Sequence, residues 1–211
     1  MKRTEEVRNK VIAVARRLMV QQGYQKTTIR QIVRETGVAS GSIYYLFGGK
    51  EGILNEIIND LMERLMFIIE SEFRNEDSLF RYAAILAVEM IGIQYNKQVR
   101  EIYYALFSSP DLLEYTVEKN MVLQDALLGK DSEEERKKRY IQALLCKGAL
   151  RAYIAAFYFN KAINMDECGA QVILLTLKSC NTREKELENI LKKLKKNKGK
   201  FVDIVQKLLY E

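Results

Sequence analysis

An all-α fold is predicted by three observations. Apolar residues recur at spacings of three and four along nearly the whole chain, no stretch alternates with period two over a useful length, and the single proline, Pro110, stands at a helix boundary. The 211 residues are 48% hydrophobic and 29% charged, a composition that fits one large or two small packed domains and excludes a disordered chain. The longest apolar runs, near 83 and 172, fall well short of the roughly 20 residues that cross a bilayer. The N-terminal VIAVARRLMV is split by Arg16 and Arg17, so neither a membrane span nor a signal peptide is expected. Cys146, Cys168 and Cys180 are widely spaced and no histidine occurs, which argues against a disulfide framework and common zinc patterns. The expectation is a reducing cytoplasm, no metal and no cofactor.

Each element has its own signal. Val7, Val11, Val14, Ala15, Leu18 and Met19 form one stripe, so residues 5–22 read as an amphipathic helix stopped by Gly23. Thr28 suits the N-cap of a second helix with inner face Ile29, Ile32 and Val33, ending at Gly37. A short third helix runs from about Ser40 to Phe47 and is closed by Gly48 and Gly49. A long fourth begins near Lys50 and carries Leu54, Ile57, Ile58, Leu61, Leu65 and Ile68 on one stripe. Further helices are predicted at 78–94, 97–108, 111–128, 133–160, 167–181, 183–197 and 200–210.

The second and third helices, joined by a tight turn at Gly37, have the proportions of a helix-turn-helix, whose second helix enters the DNA major groove. At 100° per residue, Ile43, Leu46 and Phe47 fall on one side of the third helix and Gly41, Ser42, Tyr44 and Tyr45 on the other. Outward phenols can hydrogen-bond phosphate while their rings pack on sugar or a thymine methyl. Gly41 permits close approach, and Ser42 can reach a base edge or a phosphate. Arg30 can reach a guanine edge or the backbone, and Thr28 and Lys50 sit near helix N-termini that favour phosphate. Ordinary inter-helix packing is the competing reading of the two tyrosines. Charge favours a polyanion: residues 1–50 hold ten Lys/Arg against three Asp/Glu, a net of +7. Residues 51–182 carry −5 and residues 183–211 carry +4.

With LMVQQGYQKTTIRQIVRETGV, SGSIYYLF and GGKEGIL in view, residues 5–58 resemble the DNA-binding domain of the TetR family of transcriptional regulators. The resemblance rests on Gly23, Thr28, Ile32, Gly37, Val38, Gly41, Ile43, Tyr44, Phe47, Lys50 and Glu51. It implies that Thr28, Ser40, Tyr44, Tyr45 and Lys50 contact phosphates and that Arg30, Gly41 and Ser42 face base edges. Ala39 stands where many members have a Ser that caps the recognition helix, leaving Ser40 to replace that contact. Leu46 stands where many have His or Tyr, so no polar contact is expected there. The implied architecture is a three-helix DNA-binding domain, residues 1–50, joined by a long helix to a helical ligand-binding and dimerisation domain, residues 51–211.

The body adds weaker signals. Small residues from Ala143 through Gly148 to Ala156, with the apolar stretch 170–177, suit a four-helix interface across a two-fold axis, so a homodimer is expected. Among many aromatic residues, Tyr103, Phe107, Tyr153 and Phe157 are candidates to line an apolar pocket. Glu89, the one acid in AAILAVEMIGI, either meets a cationic ligand, pairs with Arg81 or Arg100, or is simply exposed. The lysines of KKLKKNKGK, beside Leu187, Ile190, Leu191 and Leu194 at helical spacing, read as the solvated face of a helix packed on the body. A second DNA contact is the minority reading. With no His there is no Ser-His or Cys-His pair, and no Gly-rich phosphate loop follows a strand, so no enzyme is expected. The functional expectation is a dimeric regulator, most simply a repressor, that binds a palindromic operator and is released by a small, mainly apolar effector. A helical ligand-binding or interaction module that no longer reads DNA is the alternative.

Overall fold

The computed structural model describes residues 2–129, 132–159, 161–180 and 182–210. Those residues form helices and connecting turns without strands, as the periodicity predicts. The first four helices are α1 (Lys2–Gln22), α2 (Ile29–Thr36), α3 (Ser40–Phe47) and α4 (Lys50–Glu72). The body adds α5 (Ser78–Tyr95), α6 (Lys97–Leu106), α7 (Pro110–Leu128), α8 (Glu133–Ala156), α9 (Met165–Lys178), α10 (Glu184–Lys196) and α11 (Lys198–Tyr210).

Local chemistry sets most boundaries. Asp77 caps α5 by accepting from Phe80 N at 2.7 Å. Asn96 both ends α5 and caps α6, its side chain accepting from Val99 N at 3.0 Å. Ser132 and Glu135 form a reciprocal capping box at the start of α8. Several boundaries depart by two residues or more from the expected ones, and two of these have a plain local cause. Helix α8 stops at Ala156 because Phe157, Tyr158 and Phe159 turn back with i to i+3 bonds that tighten the last turn. Helix α9 starts at Met165, two residues early, because Asn164 accepts from Glu167 N. Positions 160 and 181, at the expected ends of these two helices, lie outside the described residues.

Helix α5 is the axis of the body. Its buried residues run almost unbroken from Tyr82 to Ile93, and α4, α6, α7, α9, α10 and α11 all pack against it. A helix that is apolar all round needs such a jacket. The expected domain boundary at residue 50 coincides with the first residue of α4. One continuous core nonetheless runs from Val11, Ala15 and Met19 of α1 through Ile53, Leu54 and Ile57 of α4 into the body. The C-terminal helices are part of that core: Phe201 of α11 lies 5.7 Å, ring to ring, from Phe73. Lys193 pairs with Glu76, Lys198 with Asp166 at 3.0 Å and Lys200 with Glu72 at 3.8 Å. The lysine-rich stretch thus spans the end of α10 and the start of α11, and its Lys193, Lys198 and Lys200 are fastened to acidic groups of the body.

Candidate functional site

The N-terminal site is assembled by short, strongly specified turns. The Thr28 hydroxyl accepts from Gln31 N at 3.2 Å while the Gln31 side chain accepts from Thr28 N at 2.8 Å, a full capping box. Gly37 ends α2 at φ 68° and Gly48 ends α3 at φ 71°, both in the left-handed region where a side chain would be strained. Helix α3 buries Ile43 completely and Phe47 almost so, and each such side chain is worth about 1.5–3 kcal/mol of burial. The opposite face carries Tyr44, 55% exposed, and Tyr45, 88% exposed. Ser40, Gly41, Ser42, Thr28 and Arg30 are exposed as well. A Cβ added at Gly41 would meet nothing within 4 Å, so no packing demand within the chain explains this glycine. Ala39 caps α3 without a side-chain hydrogen bond, and Ser40 does not take over that role.

Lys50 sits differently from the other candidates. Its Nζ donates to the carbonyls of Tyr24 and Thr27, each at 3.1 Å, and lies 4.0 Å from the centre of the Tyr24 ring. Burial pushes its pKa below the ordinary value, with the Glu51 carboxylate pulling the other way. Lys50 therefore braces the turn between α1 and α2 with two of its three donors, which the sequence pattern alone did not reveal.

Two further features were missed by sequence reasoning. A Cβ on Gly52 would fall 1.7 Å from the Phe47 carbonyl oxygen, so only glycine lets the first turn of α4 pass the end of α3. The basic charge is also selectively used. Arg8 pairs with Glu56, Arg16 with Asp60 at 2.9 Å and Arg17 with Glu35, fastening α1 to α4 and α2. Lys26, Arg30 and Arg34 are exposed with no acidic partner among the described residues. Burial patterns, invisible in a charge count, separate the two groups.

The body holds two neighbouring cavities. One of about 90 Å³ lies among α1, α4, α5, α6 and α11 and is almost wholly apolar, with Met19, Leu61, Val88 and Leu208 in its wall. The other, about 170 Å³, lies among α4, α5, α6, α7 and α8, with Met66, Leu106, Tyr115 and Asn120 in its wall. Ile58, Met62, Glu89 and Tyr103 line both and divide them. The Tyr103 hydroxyl donates to Glu89 Oε1 at 2.9 Å, and burial, reinforced by the Glu89 charge, holds the phenol protonated well above its ordinary range.

Of the five pocket candidates, Glu89, Tyr103 and Phe107 line the cavities, whereas Tyr153 and Phe157 line neither. Tyr153 is 1% exposed and packs on Gly169 of α9, where a Cβ would sit 3.5 Å from its ring. Phe157 is held by the Arg100 guanidinium at 4.1 Å and by the Tyr153 ring. The expected partners of Glu89 are also occupied elsewhere. Arg100 donates to the Ile93 and Gln94 carbonyls, and Arg81 to the Glu76 carbonyl. Helix periodicity identifies an apolar side chain as buried but does not distinguish a core wall from a cavity wall.

Among the described residues no helix is long and apolar enough to cross a membrane, and no cluster of acidic or cysteine side chains is placed to hold a metal ion.

Comparison with known proteins coincides with the N-terminal site. Residues 11–57 match the profile of the family described as bacterial regulatory proteins, tetR family. The HTH-type transcriptional regulator LmrA of Bacillus subtilis is 44% identical over 57 residues, covering 26% of this chain and 30% of LmrA. The HTH-type transcriptional regulator HbdR of an Aromatoleum strain is 42% identical over 62 residues, covering 29% of this chain and 27% of HbdR. The chain thus spans less than a third of the length of either relative. The crystal structure of RolR in complex with resorcinol superposes with a TM-score of 0.62 at 14% identity, over 90% of this chain and 94% of RolR, a likeness of fold. Residues 11–57 of the chain thus carry a helix-turn-helix domain of the tetR family.

Proposed function

We propose that the protein is a dimeric, effector-released repressor. The observation that carries this reading is the division of α3, with Ile43 and Phe47 buried and the Tyr44–Tyr45 pair exposed on a glycine-lightened face. Thr28, Ser40, Tyr44 and Tyr45 contact phosphates, while Arg30, Gly41 and Ser42 approach base edges in the major groove. Lys50 contributes chiefly by holding the turn that presents them, its remaining donor pointing to phosphate. Lys26 and Arg34 add charge that draws in the duplex.

A two-fold assembly is needed to present two recognition helices to a palindrome. Helices α8 and α9 supply a suitable surface: Ile141, Leu144, Leu145 and Leu175 are exposed beside the small residues Gly148 and Ala152. The effector site is the pair of cavities divided by Glu89 and Tyr103. Two helices connect them to the DNA-reading face. Helix α4 walls the cavities through Ile58 and Met62 and touches α3 through Gly52. Helix α6 contributes Tyr103, and its Glu101 lies against Gly23 at the end of α1. An effector that fits one position of α4 and α6 better than the other shifts the spacing of the recognition helices by that difference in affinity.

The test is binding of the purified protein to its own upstream intergenic DNA at two salt concentrations, with Tyr44→Ala alongside. Tight, sequence-dependent binding that weakens steeply with salt and is lost in the variant is the expected result. Equal, weak binding of both proteins to that DNA and to random DNA, followed by failure of genome-wide site selection, would leave the interaction-module alternative standing.

A further inference from the structure

Of the four charged side chains that line the larger cavity, Glu63 and Lys119 are exposed and Glu89 and Lys147 lie deeper, and none of the four forms an ion pair among the described residues. Glu89 is already engaged as acceptor of the Tyr103 hydroxyl. Lys147, on α8, is only 9% exposed, lines the larger cavity and forms no ion pair or hydrogen bond among the described residues. A lysine whose stem is this buried seldom lacks a counter-charge, and here its amino group is left available to the cavity.

The neighbouring polar network is oriented toward the same place. Gln124 Nε2 donates to the Tyr82 hydroxyl at 2.9 Å, and that hydroxyl in turn donates its single hydrogen to Asn120 Oδ1 at 3.1 Å. Burial holds the Tyr82 phenol protonated far above its ordinary range, so the direction of this chain is fixed. With Oδ1 committed, Asn120 offers its Nδ2 donors to the cavity it lines. Asn120 and Lys147 also border a crevice of about 20 Å³ immediately behind, so the two donors stand together at the inner end of the space. The α4 and α6 walls facing them present Met62, Met66, Leu106 and Phe107.

We infer that this cavity takes a small amphipathic anion, a monocarboxylic acid with a compact apolar body, whose carboxylate is held by Lys147 and the Asn120 amide. The apolar body lies against the methionines and Phe107, and the Glu89 charge disfavours the reversed orientation. A charge-assisted bond to an ammonium is stronger than one between neutral groups, which makes Lys147 the main source of selectivity. This inference rests on the cavity being the effector site proposed above.

The experiment measures binding to the full-length protein by calorimetry and thermal shift, with monocarboxylates of four to ten carbons, linear and aromatic, and with the matching primary amides and amines. The acids are expected to bind at least about tenfold more tightly than their amides or amines. Lys147→Met should reduce acid affinity to that of the amide, whereas Lys147→Arg retains most of it. The ligand-free Lys147→Met protein should melt no lower than wild type, because a mostly buried lysine that forms no ion pair is replaced by an apolar side chain of similar volume. Asn120→Asp keeps the acceptor for Tyr82 and places a repelling charge on the carboxylate, so acid binding should fall at least about tenfold; this variant decides the matter if Lys147→Met does not fold. Amides or amines binding as well as acids, indifferent to Lys147→Met, would overturn the anion assignment and leave the cavity as an effector site of another class. Binding by no compound of any class would overturn the effector reading itself.

Discussion

The N-terminal unit and the cavity-bearing body handle polar chemistry in opposite directions. In the first 50 residues the internal polar groups are engaged locally: Thr28 with Gln31, Lys50 with the Tyr24 and Thr27 carbonyls, Arg17 with Glu35. Its remaining chemistry, Tyr44, Tyr45 and Arg30, points outward. In the body the surface helices are fastened by ordinary ion pairs, while the unusual groups, Glu89, Tyr103, Asn120 and Lys147, point inward. A surface built to meet a large, rigid polyanion must be preformed by tight turns. A pocket for a small guest can leave donors and acceptors waiting for it.

The strongest way to break this contrast is at the joint between the two regions. Gly52→Ala puts a methyl onto the Phe47 carbonyl, and backbone cannot yield as a flexible side chain would. Overpacking of this kind costs about 3 kcal/mol. Urea unfolding should report that loss, and operator affinity should fall by more than tenfold because α3 is displaced. Wild-type stability together with wild-type DNA binding would show that α3 is not held in place by α4.

Next in size is the partition between the cavities. Tyr103→Phe removes the donor from Glu89 and leaves a carboxylate facing apolar walls, at a cost of about 2 kcal/mol. Glu89→Gln can still accept from Tyr103 and should cost less than about 1 kcal/mol. Without effector, DNA affinity should be nearly unchanged in both, since neither residue lies on the DNA-reading face. Equal stability losses in the two variants would mean that the Glu89 charge, rather than the hydrogen bond, is what the partition needs.

A smaller effect is expected at Lys50. Lys50→Met removes two charge-assisted bonds on a half-exposed side chain and should cost about 1–2 kcal/mol. The pH dependence gives an independent check. The folded-state pKa lies below the ordinary 10.5, so between the two values the unfolded chain holds the proton more tightly. Stability therefore rises with pH through that window, and the rise should disappear in Lys50→Met. A wild-type curve that falls there would point to a partner other than the two carbonyls.

The same contrast explains what could be read in the sequence. Every feature of α2 and α3 has a short-range signature: Thr28 as cap, glycines at 37 and 48, and apolar positions 43 and 47 set against polar ones within a single turn. The helices of the body were legible for the same reason, down to Pro110 at a boundary. The cavity was not, because its wall is assembled from residues of five helices that are far apart in sequence. Tyr153 and Phe157 have the same local pattern as Tyr103 and Phe107, and only the packing of α8 on α9 separates them. Lys147 was missed because a lysine flanked by Cys146 and Gly148 gives no sign of which side of α8 it occupies. Gly52 was hidden by the ordinary appearance of glycine near a helix start.

The smallest effects come from one substitution made in both regions. Gly41 in α3 and Gly148 in α8 are exposed helical glycines, and a Cβ at either would meet nothing within 4 Å. Replacing each with alanine should stabilise the isolated fold by a few tenths of a kcal/mol to about 1 kcal/mol, through helix propensity alone. If the faces are used as proposed, each gain is accompanied by a specific loss. Gly41→Ala should weaken operator binding, measured by titration, with the dimer unaffected, because the methyl intrudes where α3 approaches the bases. Gly148→Ala should weaken self-association, measured by sedimentation, and lower DNA affinity only at protein concentrations where the dimer dissociates. Stabilisation of both variants without either loss would mean that these glycines serve neither interface, and α3 and α8 would then need different contact faces from the ones assigned to them.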